Sequence, residues 1–255
     1  MSPIRTARHG LTLAWRSVTK FRHSPDQLLD VITLPIVLVL VFVFLFGNSV
    51  AGSTHAYLQY VLPGIAVQAL MFASLSVGLG LNTDLRSGIF DRFRSLPIAR
   101  SAPLIGYILG DVAKFVLCLV LVFALGAAVG FRTHGSVAAI LAACALIVVF
   151  AFAVSWVMAL VGLLARSPAA LTAFSFVLIM PLTFGSSVFV PTARLPGWLQ
   201  AWVKINPVTD VSNAARGLML SLPLGGAAAA SLLWALGIVV VFAPLATWAY
   251  RRQQS

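Results

Sequence analysis

Asn82-Thr-Asp-Leu-Arg-Ser-Gly-Ile-Phe-Asp-Arg-Phe-Arg-Ser-Leu-Pro97 is the longest charged island in a chain that is otherwise almost entirely apolar. At about 100° per residue, Leu85, Ile89, Phe93 and Leu96 fall on one stripe, and Asp84, Asp91 and Arg94 point away from it. That is the pattern of a short amphipathic helix. Apolar runs long enough to cross a bilayer flank it on both sides, so it is expected to lie at one membrane face, where something outside the membrane can reach it.

The composition sets the class. Of 255 residues, 60% are hydrophobic and 9% charged, the mean hydropathy is +1.01, and glutamate is absent from the sequence. A soluble domain needs charge over its surface, so the chain reads as a polytopic, all-α membrane protein. The formal net charge is +11, from 17 Lys and Arg against 6 Asp. In a soluble protein such an excess would suggest nucleic acid. Here the basic residues lie between and before the apolar runs, which is the signature of positive-inside topology, and no nucleic-acid partner is expected. Cys118 and Cys144 both sit inside apolar runs and read as small buried hydrophobes, with no disulfide framework or metal spacing.

Outward from the island, six spans are expected: 31–47, 60–81, 104–129, 137–165, 169–189 and 227–250. The first follows basic residues and precedes Ser49-Val50-Ala51, which loosely resembles a signal-peptide cleavage site, but it is too long and starts too late, and it is kept as a span. The fourth is long for the hydrocarbon layer and is expected to tilt or bend.

Residues 1–24 put Ile4, Ala7, Leu11, Ala14, Trp15, Val18 and Phe21 on one face and Arg5, Arg8, His9, Thr12, Arg16, Lys20 and His23 on the other. This describes a helix lying in the interface against anionic lipid headgroups. The competing reading, a solvated basic tail, leaves the apolar face with nothing to bury against. Residues 190–226 are too polar and proline-rich to cross. Leu195, Trp198, Leu199, Trp202 and Val203 make one stripe, and Ala214, Ala215, Leu218 and Met219 another after Asn206-Pro207. Two short half-inserted helices are expected there.

Charge sets the orientation. Arg5, Arg8, Arg16, Lys20, Arg22, Arg86, Arg92, Arg94, Arg100, Arg166, Arg251 and Arg252 share one side of the six-span arrangement, against Arg132, Arg194, Lys204 and Arg216 on the other. Both termini and the island are therefore expected in the cytoplasm of a multi-pass cell-membrane protein, with 190–226 outside.

No enzyme is legible. The sequence has no Walker-type loop, no His-Glu-x-x-His, no Gly-x-Ser-x-Gly and no metal-binding aspartate cluster. His9, His23, His55 and His134 all fall at or beyond span ends. One acid, Asp111, lies within an apolar run, with Lys114 three residues on along the same face. An intramembrane charge can be a proton relay or a counter-ion for a substrate. Against that, the pair is expected in the first turns of its span near the cytoplasmic face, where both groups can pair or reach water, and the structural reading is favoured.

The sequence resembles one family at two places. Gly88-Ile-Phe-Asp-Arg-Phe-Arg-Ser-Leu-Pro-Ile-Ala-Arg-Ser-Ala-Pro103, with Gly110-Asp111 downstream, looks like the signature segment of the daunorubicin-resistance permeases, a branch of the type-2 ABC exporter membrane subunits. Phe189-Val190-Pro191, Leu195-Pro196-Gly197-Trp198-Leu199, Asn206-Pro207-Val208-Thr209 and Arg216 are similar to that family's pattern between its last two spans.

The resemblance implies a single transmembrane domain over 1–255, with 1–24 as an interfacial connecting helix and 82–97 as the coupling helix that fits a cleft in a cytoplasmic ATP-binding subunit. Asp84, Leu85, Gly88, Ile89, Phe90, Asp91, Arg92, Phe93, Arg94, Leu96 and Pro97 would carry the coupling, with Ile89, Phe90 and Phe93 as packing knobs. Other type-2 exporters often have glutamates in this helix, where this chain offers aspartates and arginines. The external pair, with Trp198, Trp202, Asn206, Pro207 and Arg216, would close the outer end of the pathway. Two permease copies, identical or paralogous, would pair with two ATP-binding subunits. ATP and Mg2+ would be held by those subunits, with no cofactor on this chain and membrane lipid around it.

The function expected is therefore the non-catalytic membrane subunit of an ATP-driven exporter of hydrophobic drugs, antibiotics or lipids. A stand-alone proton-coupled carrier would have to depend on Asp111. A membrane-bound scaffold or enzyme would need a site the sequence does not display.

Overall fold

Several helices begin on a side chain that replaces a missing backbone partner. Ser53, Ser136 and Ser167 each accept from the amide three residues on, at 3.1, 3.2 and 3.0 Å. Asn206 accepts from Val208 N at 2.9 Å. These are N-caps, and at Ser167-Pro168 and Asn206-Pro207 a proline takes the first helical position, where its absent N–H costs nothing.

The computed structural model describes residues 33, 35–87 and 102–252, which form helices joined by short links and turns. In chain order they are α1 (Pro35–Ala51), α2 (Thr54–Ala73), α3 (Leu75–Arg86), α4 (Ala102–Val129), α5 (Val137–Leu164), α6 (Pro168–Phe184), α7 (Gly197–Lys204), α8 (Pro207–Leu220) and α9 (Ala227–Arg252). A π-helical turn, Phe42–Phe46, interrupts α1. The expected N-terminal helix over 1–24 lies outside the described residues, as do Gly88, Ile89, Phe90, Asp91, Arg92, Phe93, Arg94, Leu96 and Pro97.

Among the described residues four helical stretches are long and apolar enough to cross a membrane: Thr54–Arg86, which joins α2 and α3, then Leu104–Val129, Val137–Leu164 and Ala227–Arg252. Pro35–Ala51 and Pro168–Phe184 are apolar but shorter. The long polar link expected over 48–59 shrinks to Gly52-Ser53. Gly52 takes a left-handed φ of 74°, which suits glycine, and Ser53 caps α2 at once.

Helix α2 is central. From Val61 to Met71 every residue is buried, as expected of a helix apolar all round. It joins α4, α5 and α8 in a large apolar cluster that includes Tyr57, Leu62, Leu70, Phe115, Phe150 and Val211. A second cluster, with Val77, Leu81, Leu104, Trp156, Leu163 and Tyr250, packs α3 against α4, α5 and α9. By contrast α9 exposes Leu232, Leu233, Leu236, Val240, Val241 and Trp248. Such a face suits lipid tails, which are as apolar as leucine.

Two ends of the bundle follow from these contacts. At the stem end α3 and α5 finish, α4 begins, and Tyr250 of α9 packs beside Leu81, Leu104 and Leu163. At the loop end Gln59 donates to Gly130 O (3.2 Å), His134 N to Met219 O (2.9 Å), and Arg194 reaches Val50 O.

Candidate functional site

The stem end receives the charged island. Asn82 and Asp84 do not open a separate helix but continue α3, whose last residue is Arg86. Asn82 is fully buried, and its amide donates to Gly162 O and Ala165 O, both at 2.8 Å. Those carbonyls belong to the end of α5, where a helix runs out of its own donors. Arg86 Nε returns a bond to Asn82 Oδ1 at 3.2 Å. Asp84 accepts from the Tyr107 hydroxyl of α4. Leu85 packs at the edge of the second apolar cluster. The two strands of chain that lead into and out of 88–101 are thus tied to each other and to α5.

One turn before Asn82, α3 crosses α5 with almost no separation. A Cβ on Gly78 would lie 2.6 Å from Met158 O, and one on Gly162 would lie 2.5 Å from Gly78 O. Only glycine at both positions allows backbone to touch backbone, the small-residue approach that packs helices in lipid.

Asp111 and Lys114 meet, but nearer the middle of α4 than the first turns expected. Lys114 Nζ stands 2.7 Å from Asp111 Oδ1, and the side chains are 12% and 4% exposed. Ser76 of α3 closes the group: its hydroxyl donates to Asp111 Oδ2 and accepts from Lys114 Nζ at 3.4 Å. The Asp111 carboxylate is thus held by a cation and a hydroxyl. Asp111→Asn is therefore expected to remove the carboxylate facing Lys114 and to cost roughly 3–5 kcal/mol, while Asp111→Leu with Lys114→Met restores most of the stability. Thermal unfolding of both variants in detergent checks this; equal loss in single and double variants would contradict it.

At the loop end the organising residue is Arg216, which is 5% exposed. Its five N–H groups meet five neutral oxygens: Tyr60 O (2.6 Å), Asn213 Oδ1 (2.8 Å), Ser187 Oγ (3.3 Å), Ser187 O (2.6 Å) and Val188 O (3.1 Å). The guanidinium also lies 3.9 Å over the Tyr60 ring. Burial presses its pKa down from the usual arginine value, with Tyr60 and then Tyr57 acting the other way.

Around it, Tyr60 OH donates to Ser187 O at 2.5 Å, Tyr57 OH to Phe189 O at 3.0 Å, and Ser187 N to Thr209 Oγ1 at 3.2 Å. The turn 185–190 that follows α6 is thereby stitched to α2 and α8. Asn206 adds bonds to Leu182 O and Gly185 O, both at 2.8 Å. Helix α8 also carries Asp210, whose carboxyl is pushed up by burial and held back by a hydrogen bond from Trp234.

Of the residues expected between the last two spans, Asn206, Pro207 and Arg216 come together on α8. That helix is inserted into the bundle, with Val208, Val211, Ala214, Ala215 and Met219 buried, where the sequence suggested one half sunk in the interface. Trp198 and Trp202 lie on α7, exposed at 76% and 42%, with the Trp202 indole against Gly185. Sequence reasoning missed the Gly78–Gly162 crossing, Ser76 and the two tyrosines. The one available signal was Asn82, an amide on the face of a helix that packs inward.

Among the described residues the helical body ties a charged connection to its helix ends, holds the Asp111–Lys114 ion pair, and shows no group of three or more His, Cys or Asp that could hold a metal ion. Residues 9–220 match the ABC-2 type transporter family. The chain is 39% identical, over 96% of its own length and 87% of the relative's, to the daunorubicin resistance ABC transporter permease protein DrrB1 of Streptomyces coeruleorubidus. It is 26% identical, over 93% and 86%, to the probable doxorubicin resistance ABC transporter permease protein DrrC of Mycobacterium tuberculosis. A putative transport permease, ycf38 of Cyanophora paradoxa, is 24% identical over 81% and 72%. The chain belongs to the ABC-2 type transporter family, as a membrane permease subunit.

Proposed function

We propose that this permease exports hydrophobic drug-like compounds or lipids and is driven by a separate ATP-binding subunit through residues 82–97. The observation that carries the reading is the likeness to daunorubicin and doxorubicin resistance permeases along nearly the whole chain. The stem supports the coupling half of it: Asn82 and Asp84 anchor the start of the island to α5 and α4.

In this reading six spans cross the membrane, with Pro35–Ala51 and Pro168–Phe184 as the shorter two, both termini and the stem end are cytoplasmic, and residues 190–226 close the outer end. ATP and Mg2+ stay on the partner. Two permease copies and two ATP-binding subunits make the working unit. A proton-coupled carrier is disfavoured by the closed Asp111–Lys114–Ser76 group.

The test is export of a panel of hydrophobic compounds from cells making this chain with its ATP-binding partner. Accumulation that stays at the level of cells lacking the chain, for every compound, would sink the reading. Within it, Ile89→Asp and Phe93→Asp are each expected to cut export at least tenfold at normal membrane levels, since an unpaired charge in an apolar contact is costly. Unchanged export by both would remove the docking role of that helix.

A further inference from the structure

The island can drive transport only if its displacement reaches the helices. Two contacts on one face of α3 offer a route. Gly78 and Asn82 stand four residues apart, one turn of helix, so they lie on the same side. Both meet α5 at the same place. Gly78 touches Gly162 backbone to backbone, and the Asn82 amide spends both N–H groups on Gly162 O and Ala165 O. Its oxygen is held by Arg86 Nε, so the amide cannot turn over without setting oxygen against two carbonyls.

The end of α3 and the end of α5 are therefore joined by steric contact and by two bonds one helical turn apart. From there α5 runs without interruption for 28 residues to Ser136, next to the link whose His134 and Gly135 amides both donate to Met219 O of α8. Helix α8 is the one that carries Arg216.

We propose that Asn82 is the positioning residue that hands movement of the end of α3 to α5, and so to the arginine-held loop at the far end. This rests on the coupling reading given above. The alternative is that Asn82 only caps α5, in which case stability would suffer and the yield of transport per ATP would not. Tyr107 on Asp84 ties the same stem to α4, but through a single hydroxyl on a half-buried carboxylate.

The test uses the full permease with its ATP-binding partner in proteoliposomes. Cys118 and Cys144 are replaced by alanine, and Leu164→Cys, at the exposed end of α5, is labelled with a maleimide. In the otherwise unaltered chain the labelling rate is expected to change several-fold between the nucleotide-free and vanadate-trapped states. In Asn82→Ala that change should vanish and transport should fall at least tenfold, while ATP hydrolysis persists. Asn82→Ser, which keeps one donor, should retain an intermediate response.

A normal labelling change and normal transport in Asn82→Ala overturn the inference. So does a proportionate fall of transport and hydrolysis, or a failure of both variants to assemble, since either outcome describes a cap and nothing more. No nucleotide response at all in the unaltered chain would instead defeat the coupling reading itself.

Discussion

Arg216→Ala is expected to lower the unfolding temperature of the purified permease by on the order of 10 °C. The substitution leaves Tyr60 O, Ser187 O, Val188 O, Ser187 Oγ and Asn213 Oδ1 without their shared donor in a site already closed to water. Each buried polar group left unmatched costs about 1–3 kcal/mol, and neighbours can recover some of it, so a net loss of about 3–5 kcal/mol is expected. Arg216→Lys should recover little. An ammonium has three donors and no planar fork, and cannot reach acceptors on three elements at once. Asn213→Ala, which removes one acceptor, should cost only about 1 kcal/mol. Thermal unfolding followed by tryptophan fluorescence orders the three variants. If lysine restores full stability, the fork geometry is not what holds the loop.

The second large effect belongs to the glycine crossing. Gly162→Ala puts a methyl group 2.5 Å from Gly78 O and 2.7 Å from Gly78 Cα, and Gly78→Ala puts one 2.6 Å from Met158 O. Real side chains do not approach that closely, and the obstructing atoms are backbone, so the helices have to separate. Overpacking of this kind costs about 1–3 kcal/mol and here adds strain on both Asn82 bonds, so the loss should lie at or above the top of that range. Gly197→Ala, at the open start of α7, meets nothing within 4 Å and serves as the neutral control. Recovery of monodisperse protein and its unfolding temperature give the readout; a Gly162→Ala chain as stable as the control would mean that α3 and α5 do not cross this closely.

Much of the helix plan was legible because it depends on local chemistry. Length and apolarity marked spans at 104–129, 137–165 and 227–250, within two residues of the helices Ala102–Val129, Val137–Leu164 and Ala227–Arg252, and the turn at Ser167-Pro168 and the break at Asn206-Pro207 fall where two helices start. The Asp111–Lys114 pair followed from i,i+3 spacing alone. What stayed hidden depends on partners distant in sequence. Arg216 was expected on the outside, as a charge and as part of the external closure, but nothing near it in the chain announces three carbonyls from α2 and the 185–190 turn. The start of α2 was placed late because Thr54, His55 and Gln59 are polar, although Tyr57 and Leu58 turn a buried face. Gly78 and Gly162 are separated by two helices and the 88–101 connection, and no periodicity relates them. The packing knobs Ile89, Phe90 and Phe93 lie outside the described residues and stand on the sequence pattern alone.

The junction between α2 and α3 has a consequence for packing. At Ser74 a hydroxyl turns back on the main chain, donating to Met71 O at 2.6 Å, and such competition bends helices. The same point divides the two apolar clusters, since Leu75 belongs to one and Val77 to the other. The Thr54–Arg86 stretch therefore changes neighbours at Ser74: before it the chain is buried among α4, α5 and α8, and after it the chain packs against α4, α5 and α9.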